Sequence, residues 1–245
     1  MSTEVPPAMT GPGGRPLRIA TVRRIFDHTP AMRSLFLAPA DQSEIHFVPG
    51  QFISIAIPLG DETRTRAYSI ASLPKDRAPY EICFNRVANG RGAEWLFERS
   101  VGDAIGFSGP FGTFTLERAP EAETIFIAVA TGLAPIRPMI HRAAMGAHLA
   151  MTLLCAAPSP EHILYRAEFE GLAARDAGFH FEAIVAPEAD LYARLLEEGE
   201  RRWIRGDANR TRQFYICGVG KGVIALRDLF RTAGYERRAV HYEQW

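Results

Sequence analysis

The pattern of hydrophobic and polar positions divides the chain into two halves of different character. In the first half, short segments rich in Ile, Val, Phe and Tyr alternate with turn-forming stretches such as "VPGQ", "PLGDET" and "VGDAIG". Short apolar runs bounded by Gly and Pro are typical of β-strands. The predicted strands are 17–26, 32–38, 51–58, 66–71, 79–87 and 103–107. Six strands with one helical interruption, around "RGAEWLFERS", predict a small antiparallel β-barrel.

The second half alternates regularly between strand and helix. The predicted strands are "TIFIAVA", "LAMTLLCAA", "FHFEAIVA", "QFYICG" and a last one near "RAVHYE". Helical stretches run between them, through "RPMIHRAAMG", "LYRAEFEGLAARDAG", "DLYARLLEEGERRWI" and "VIALRDLFRTAG". Strands that alternate with helices predict βαβ units and a parallel sheet. The predicted fold class is therefore a six-stranded antiparallel β-barrel followed by a parallel-sheet α/β domain.

A polar segment, "ERAPEAE" at 117–123, marks the boundary between the two halves. It predicts a barrel domain over 17–118 and an α/β domain over 119–245. Residues 1–16 are rich in Pro and Gly and are predicted to form a disordered leader. Ligands of open α/β sheets bind beyond the carboxyl ends of the strands, and inter-domain clefts are common ligand sites. We therefore expect the chemistry to lie in a cleft between the two domains.

Composition limits the classes of partner. Hydrophobic residues make up 47% of the 245 residues, which is enough to form buried cores. Basic and acidic residues number 28 each, and this zero formal net charge argues against a nucleic acid or an anionic membrane as partner. The longest apolar run, "TIFIAVATGLAPI", is too short to span a bilayer, and the N-terminus lacks the order of a signal peptide. We therefore expect a soluble cytoplasmic protein.

The cysteines and histidines indicate no metal site. Cys83, Cys155 and Cys217 are odd in number and far apart, which argues against a disulfide framework, a zinc site and a self-contained iron–sulfur cluster. The histidines follow no metal-ligand spacing. Any iron–sulfur centre that works with this chain must therefore belong to a separate protein.

The predicted strand "TRAYSIAS", residues 65–72, places a cation beside an aromatic ring. Alternation along a strand puts Arg66 and Tyr68 on one face and Ala67 and Ser69 on the other. A flat anionic cofactor lying across this strand would stack on Tyr68 and pair a phosphate with Arg66. Ser69 would then hydrogen-bond a ring nitrogen of that cofactor. The alternative interpretation is an exposed strand face with a simple tyrosine–arginine contact.

Several segments together resemble one family. "RAYS" at 66–69 fits the Arg-x-Tyr-Ser motif of the ferredoxin–NADP reductase superfamily. Further segments similar to that family are "PGQF" at 49–52, "NGRGAEWL" at 89–96, "GPFGTF" at 109–114, "TGLAPI" at 131–136, "YICGVGKGV" at 215–223 and the tail "HYEQW". Because the resemblance runs in the expected order over 17–245, it is far more specific than any single motif.

The resemblance implies the cofactors and the reaction. FAD would be the bound flavin, and NAD(P)H would donate a hydride from its nicotinamide C4 to the flavin N5. Single electrons would then pass to a ferredoxin, a flavodoxin or an oxygenase component. Two alternatives stay open: an NAD(P)H reductase of free flavin or an organic acceptor, and a non-catalytic flavin-binding subunit of a larger redox complex.

The loop "NGRGAEWL" resembles the pyrophosphate-binding loop of the family. Gly90 and Gly92 allow close backbone approach, and the helix that follows offers free N–H groups to a phosphate. Arg91 and Ala93 complete the predicted binding segment. The family usually has Ser or Thr where Ala93 stands, so the binding is expected to depend on backbone N–H groups and Arg66. The alternative is a glycine turn that only caps a helix.

Two further turns resemble the nicotinamide side of the family. Thr131 and Gly132 lie between a strand and a helix, where small residues let a dinucleotide approach the backbone. Cys217 and Gly218 lie in the second turn, and the resemblance places Cys217 beside the nicotinamide ring. A plain βα turn and a buried apolar thiol are the alternatives. In the loop after the strand "LLC", Ser159 is the only obvious partner for the 2′-phosphate of NADPH, and that loop contains no Arg.

The chain terminus carries the last two candidates. In the family a C-terminal aromatic residue covers the flavin, which indicates Trp245, with Glu243 as a proton carrier. A frayed tail is the alternative. The predicted catalytic residues are therefore Ser69, Cys217 and Glu243. Glu161 and Glu188 would repel the 2′-phosphate of NADPH, which favours NADH without deciding the matter.

Overall fold

The computed structural model describes residues 16–60, 62–73, 75–87, 90–146 and 150–245. The predicted leader, apart from Pro16, and Asn89 of the predicted pyrophosphate loop lie outside these ranges. Contacts divide the chain into two units, Met1–Thr113 and Phe114–Trp245. The division falls a few residues before the predicted boundary after 118. Phe114 belongs to the second unit, where its ring lies 5.9 Å from that of Tyr215.

The first unit is an antiparallel β-structure with one helix. Its strands are β1 (Arg18–Thr29), β2 (Met32–Pro39), β3 (Phe52–Leu59), β4 (Glu62–Ser69), β5 (Tyr80–Asn85) and β6 (Ala104–Phe111), and its helix is α1 (Arg91–Phe97). The strand order is β4-β3-β6-β1-β2-β5. A bridge between Ile70 and Ile82 joins the residue after β4 to β5, so the two ends of the sheet meet. The predicted six-stranded barrel is confirmed.

One strand of the barrel begins earlier than its pattern predicted. β4 starts at Glu62 rather than at residue 66, because its polar first residues pair with β3 through the register Leu59↔Glu62. Those residues are exposed, as expected for the edge strand of a sheet. On the inner face of the sheet, side chains such as Leu35, Ile55 and Phe107 fill the barrel interior and have no exposed surface.

The second unit is a parallel sheet with helices between its strands. Its elements are β7 (Thr124–Val129), α2 (Leu133–Ala143), β8 (Met151–Ala157), α3 (Arg166–Arg175), β9 (Phe179–Val185), α4 (Leu191–Trp203), β10 (Gln213–Gly218), α5 (Gly222–Thr232) and β11 (Val240–Gln244). The order is β11-β10-β7-β8-β9, with every pair parallel. All residues of β7 are buried, as expected for a central strand covered on both faces. The predicted α/β class is confirmed.

The connectivity of this sheet fixes where a ligand can bind. From β7 the chain proceeds to β8 and β9 on one side, and then returns to β10 and β11 on the other. The direction of winding therefore reverses between β7 and β10. In open α/β sheets the crevice at such a reversal, beyond the carboxyl ends of the strands, is the usual ligand site.

Two further features of the described ranges are the length of their helices and the grouping of their metal-ligating side chains. Within these ranges, no helix is long and apolar enough to cross a membrane. The same ranges contain no group of three or more His, Cys, Asp or Glu residues placed to hold a metal ion. Cys83, Cys155 and Cys217 are free thiols, and all three are buried.

Candidate functional site

The end of β4 carries the aromatic residue and the hydroxyl that the sequence singled out. Tyr68 and Ser69 pair with Ile53 and Phe52 of β3. The Tyr68 ring packs on the barrel core, 5.7 Å from the Phe84 ring, and burial raises the pKa of Tyr68 to about 12, with the Arg66 charge acting in the opposite direction. The phenol is therefore neutral at physiological pH. Ser69 is 5% exposed.

Arg66 lies beside the start of α1. A Cβ built on Gly92 would lie 3.1 Å from Ile57 Cδ1 and 3.5 Å from Arg66 Cγ, so the absence of a side chain lets the helix approach β3 and β4 closely. The exposed Arg66 guanidinium donates to the Thr65 carbonyl oxygen, 2.9 Å away. Ala93 of α1 is buried. The strand motif and the glycine loop are thus brought together in the first unit.

Ion pairing distinguishes Arg66 and Arg91 from most arginines of this unit. The arginines paired with carboxylates are Arg18, Arg33, Arg64, Arg77, Arg86 and Arg99. Within the described residues, Arg66 and Arg91 have no carboxylate partner, and the same holds for Arg23 and Arg24 of β1. No described side chain caps the start of α1 at Gly90. Uncompensated guanidinium groups beside uncapped N–H groups are suited to a phosphate.

In the second unit, the turns after β7 and β10 are pressed together. A Cβ on Gly132 would lie 2.6 Å from the Cys217 carbonyl carbon, which no side chain can tolerate. Thr131 and Gly132 belong to a short 3-10 helix that begins at Ala130 with a φ of +51°, a left-handed value that favours glycine. The structure therefore brings together Thr131, Gly132, Cys217 and Gly218, as the sequence predicted, at the reversal point of the sheet.

The Cys217 thiol is buried and chemically quiet. Burial raises its pKa, the neighbouring Glu243 raises it further, and a hydrogen bond from the Trp245 side chain acts in the opposite direction. Because the thiol stays protonated at neutral pH, Cys217 contributes shape and contact rather than a thiolate nucleophile.

The C-terminal segment is fixed rather than frayed. β11 pairs with β10 in the register Cys217↔Glu243, and the Trp245 N–H donates to the Gly218 carbonyl oxygen at 3.0 Å. The Gly220 N–H in turn donates to the Trp245 carbonyl oxygen at 3.1 Å, and the Trp245 residue is 38% exposed. Glu243 Oε2 is buried without a hydrogen-bond partner among the described residues, and burial raises the pKa of Glu243 to about 7.

Tyr192, in the first turn of α4, is part of this edge and was not predicted. Its hydroxyl donates to the Val219 carbonyl oxygen at 2.7 Å. Its ring fills the space beside Gly222, where an added Cβ would overlap the ring carbons, and a Cβ on Gly218 would lie 2.6 Å from its hydroxyl oxygen. Two glycines of "CGVGKG" thus accommodate a side chain of this protein. No local pattern signals this contact, since Tyr192 is distant from the turn in sequence.

Ser159 lies at the carboxyl end of β8, the strand next to β7. Its hydroxyl oxygen is 2.7 Å from His162 Nδ1. A hydrogen bond from Ser159 also lowers the pKa of Glu161. Ser159 therefore follows β8 with its hydroxyl already engaged by neighbouring side chains, and its role in nucleotide binding stays a prediction.

Comparisons with known proteins agree with both halves of this description. The Oxidoreductase FAD-binding domain model matches residues 24–116, and the Oxidoreductase NAD-binding domain model matches residues 126–225. Ferredoxin–NADP reductase B of Sorangium cellulosum is 30% identical over 239 residues, which cover 93% of this chain and 96% of that protein. The chain belongs to the ferredoxin–NADP reductase superfamily. It is an oxidoreductase that uses FAD and NAD(P)H.

Two further comparisons extend this result. The toluate 1,2-dioxygenase electron transfer component of Pseudomonas putida is 27% identical over 241 residues, and the chain spans 69% of that protein. A ferredoxin NADP+ reductase from Neisseria gonorrhoeae, solved with bound FAD and NADP, superposes with a TM-score of 0.76 at 18% identity. That superposition covers 93% of this chain and 98% of the other, and it supports the two-domain fold.

The contact between Tyr192 and Gly222 makes a stability prediction. Gly222→Ala places a methyl group into the Tyr192 ring, and we expect it to lower the free energy of unfolding by ~1–3 kcal/mol, although Ala favours helices. Adding Tyr192→Ala should restore part of that loss in a double-mutant cycle followed by urea unfolding. Gly171→Ala in α3 is the matched control: its Cβ would meet only Arg175 Nη1, at 3.5 Å, and we expect no loss. Equal effects of the two glycine substitutions would contradict this account.

Burial of Glu243 predicts a pH-dependent stability. The folded-state pKa of Glu243 is about 7, above the ordinary value of 4.5. The contribution of this group to stability is therefore complete below pH 4.5, and it is lost as the pH rises through 7. Glu243→Gln should therefore be as stable as the parent near pH 4.5 and more stable at pH 8.5. After allowance for partial solvent screening, we expect the free energy of unfolding of Glu243→Gln to exceed that of the parent by ~2 kcal/mol at pH 8.5.

Urea unfolding at a series of pH values measures this difference. Glu197→Gln serves as control, because Glu197 is exposed and pairs with Arg194 at 3.0 Å on α4. If the difference in free energy of unfolding between the parent and Glu243→Gln is the same at pH 4.5 and at pH 8.5, the assignment is refuted.

Proposed function

We propose that this chain is a flavin-dependent NAD(P)H:ferredoxin oxidoreductase that delivers single electrons to a separate iron–sulfur protein or flavodoxin. The observation that carries the proposal is that Arg66 and Arg91, at the start of α1, have no carboxylate partner among the described residues, and that no described side chain caps this helix. Both arginines lie in the unit matched by the FAD-binding model. The neutral net charge of the chain makes such a local positive site informative, since most other arginines of the unit are paired.

Residues of the first unit hold the flavin nucleotide in this proposal. Arg66 and Arg91 bind the pyrophosphate, with the N–H groups that follow Gly90, and the absent side chain of Gly92 keeps the approach open. Ala93 supplies a backbone N–H where a hydroxyl is usual in the family. When bound, FAD accepts a hydride from the nicotinamide and releases its electrons singly.

The end of β4 orients the flavin ring in this proposal. Tyr68 offers the face of a neutral ring, and Ser69 offers a hydroxyl next to it. Ala67, between Arg66 and Tyr68, keeps that strand free of a bulky side chain on its other face. Because these residues belong to one strand paired along its length with β3, their spacing is fixed before any ligand arrives.

Residues of the second unit position the nicotinamide. Thr131, Gly132 and Gly218 supply backbone at the reversal point of the sheet, and the neutral Cys217 supplies a contact surface. Glu243, with a pKa of about 7, holds a proton that it can give up near neutral pH, and Trp245 presents its indole at the same edge. Positioning of two reactants can contribute up to ~7–11 kcal/mol to lowering a barrier, and we assign the main catalytic effect to it.

The acceptor is a separate protein in this proposal. The three cysteines are buried and isolated, so the chain's own thiols do not assemble a cluster. A ferredoxin or an oxygenase component is favoured by the relatives named as a ferredoxin reductase and an oxygenase electron transfer component. The free thiols and the use of NAD(P)H are both in keeping with the cytoplasmic location predicted from the sequence.

Removal of the guanidinium groups tests the flavin site. Arg66→Gln should weaken FAD binding to the apoprotein ~10–100-fold, because a hydrogen bond to a charged group contributes ~1.5–3 kcal/mol. Arg91→Gln should act in the same direction. Quenching of flavin fluorescence measures the affinity. Arg64→Gln is the matched control, since Arg64 lies on the same strand and is paired with Glu62 at 3.0 Å. An equal loss in Arg64→Gln, or no loss in Arg66→Gln, would be evidence against this site.

Anaerobic reduction tests the function itself. NADH or NADPH should bleach the visible absorption of the FAD-loaded protein within seconds, and added ferredoxin should then be reduced in preference to free flavin. Steady-state rates with the two acceptors measure the preference. A flavin that stays oxidised with both nucleotides would indicate a non-catalytic subunit. Faster reduction of free flavin than of ferredoxin would indicate a flavin reductase.

A further inference from the structure

The loops after β8 and β9 form the remaining part of the nucleotide edge. In dinucleotide-binding α/β folds, the residues after the strand next to the first βα turn contact the adenosine ribose. A carboxylate there accepts a hydrogen bond from the ribose 2′-hydroxyl of NADH, whereas a free arginine accommodates the 2′-phosphate of NADPH. The charges at this edge therefore bear on which nucleotide is used. This inference rests on the proposed function.

Ser159 and its neighbours present a carboxylate at the end of β8. A hydrogen bond from Ser159 lowers the pKa of the exposed Glu161 carboxyl, and the Ser159 hydroxyl oxygen lies 2.7 Å from His162 Nδ1. The Ser159 hydroxyl is thus engaged by two side chains of its own loop, Glu161 and His162. A phosphate would have to compete with Glu161 for the single proton of the Ser159 hydroxyl. The effect of Ser159 is to hold Glu161, an acceptor, at the edge.

Two arginines of this unit, Arg166 and Arg137, are engaged with glutamates of α3. Arg166, the first residue of α3, donates through Nε to Glu170 Oε1 at 2.7 Å. Arg137 of α2 donates two hydrogen bonds to Glu168, from Nε to Oε1 at 2.9 Å and from Nη2 to Oε2 at 2.8 Å. Both guanidinium groups are thus neutralised by carboxylates of this unit, and neither is free to receive a phosphate.

The loop after β9 adds further negative charge. A 3-10 turn, Glu188–Asp190, follows the strand, and its two acidic side chains belong to exposed residues. The segment 186–192 contains no Lys or Arg. A 2′-phosphate, with a charge near −2 at neutral pH, would meet carboxylates on both of these loops.

We propose that this edge selects NADH and rejects NADPH: the Glu161 carboxylate, held by Ser159, accepts a hydrogen bond from the ribose 2′-hydroxyl, and Glu161 and Glu188 together repel a 2′-phosphate. The selectivity is electrostatic, so it weakens as salt screens the charges. It acts on binding of the adenosine end and leaves hydride transfer from the bound nucleotide unchanged.

Binding of two nicotinamide-free analogues tests the selectivity without any redox step. ADP-ribose and 2′-phospho-ADP-ribose differ only in the 2′-phosphate, and calorimetry on the FAD-loaded protein gives both dissociation constants. We expect ADP-ribose to bind more tightly by a factor of ~10 or more, with the ratio shrinking as ionic strength rises. Equal binding, tighter binding of the phosphorylated analogue, or a ratio independent of salt would overturn the proposal.

Variants assign the effect to the two carboxylates. Glu161→Gln should reduce the ratio several-fold, and Glu161→Gln combined with Glu188→Gln should reduce it further. Glu197→Gln, the same change on an exposed face of α4, should leave it unchanged. In stopped-flow reduction of the flavin, the loss of selectivity should change how the rate depends on the NADH and NADPH concentrations. The limiting rate at saturating nucleotide should stay the same.

The two proposals fail separately. If neither nucleotide reduces the flavin while ADP-ribose is still preferred, the proposed function is wrong and the selectivity stands. If both nucleotides reduce the flavin and NADPH binds as tightly as NADH, the function stands and the selectivity is wrong.

Discussion

The nucleotide edge of the second unit depends on one close backbone approach. The turn after β7 lies against the end of β10, where a Cβ at position 132 would come within 2.6 Å of the Cys217 carbonyl carbon. Glycine at this position lets the parallel strands β7 and β10 remain side by side to their carboxyl ends. From these ends the chain continues toward opposite edges of the sheet, to β8 from β7 and to β11 from β10. The crevice at the reversal of the sheet follows from that contact.

The glycines of the turn between β10 and α5 have more than one structural role. Gly220 takes a φ of +79° and has open space around it, so it serves the turn itself. Gly218 and Gly222 instead make room for Tyr192, which reaches them from α4 and binds the Val219 carbonyl oxygen. A glycine-rich motif is usually interpreted as space for a ligand. Here part of that space belongs to a side chain, which ties the β10–α5 turn to α4.

Charge is balanced over the whole chain but not at its binding surfaces. In the first unit most described arginines are matched by carboxylates, whereas Arg66 and Arg91 beside α1 have no carboxylate partner among the described residues, and the proposed pyrophosphate site rests on this difference. In the second unit Arg166 and Arg137 are matched, and the carboxylates of Glu161 and Glu188 are what the edge presents. A formal net charge of zero therefore conceals two local fields of opposite sign, each on its own unit.

The sequence by itself determined the fold class, the order of strands and helices, and the family. It could do so because strand and helix periodicity depend on neighbouring residues, as in the wholly apolar β7 or the motif at the end of β4. Only the tertiary structure decided that Tyr192 rests on Gly222, that Ser159 is engaged by neighbouring side chains, and that Arg66 has no carboxylate partner among the described residues. It also decided that Glu243 titrates near neutrality, because its carboxyl is buried at the end of β11. Burial and charge pairing arise between residues far apart in sequence, and no local pattern contains them.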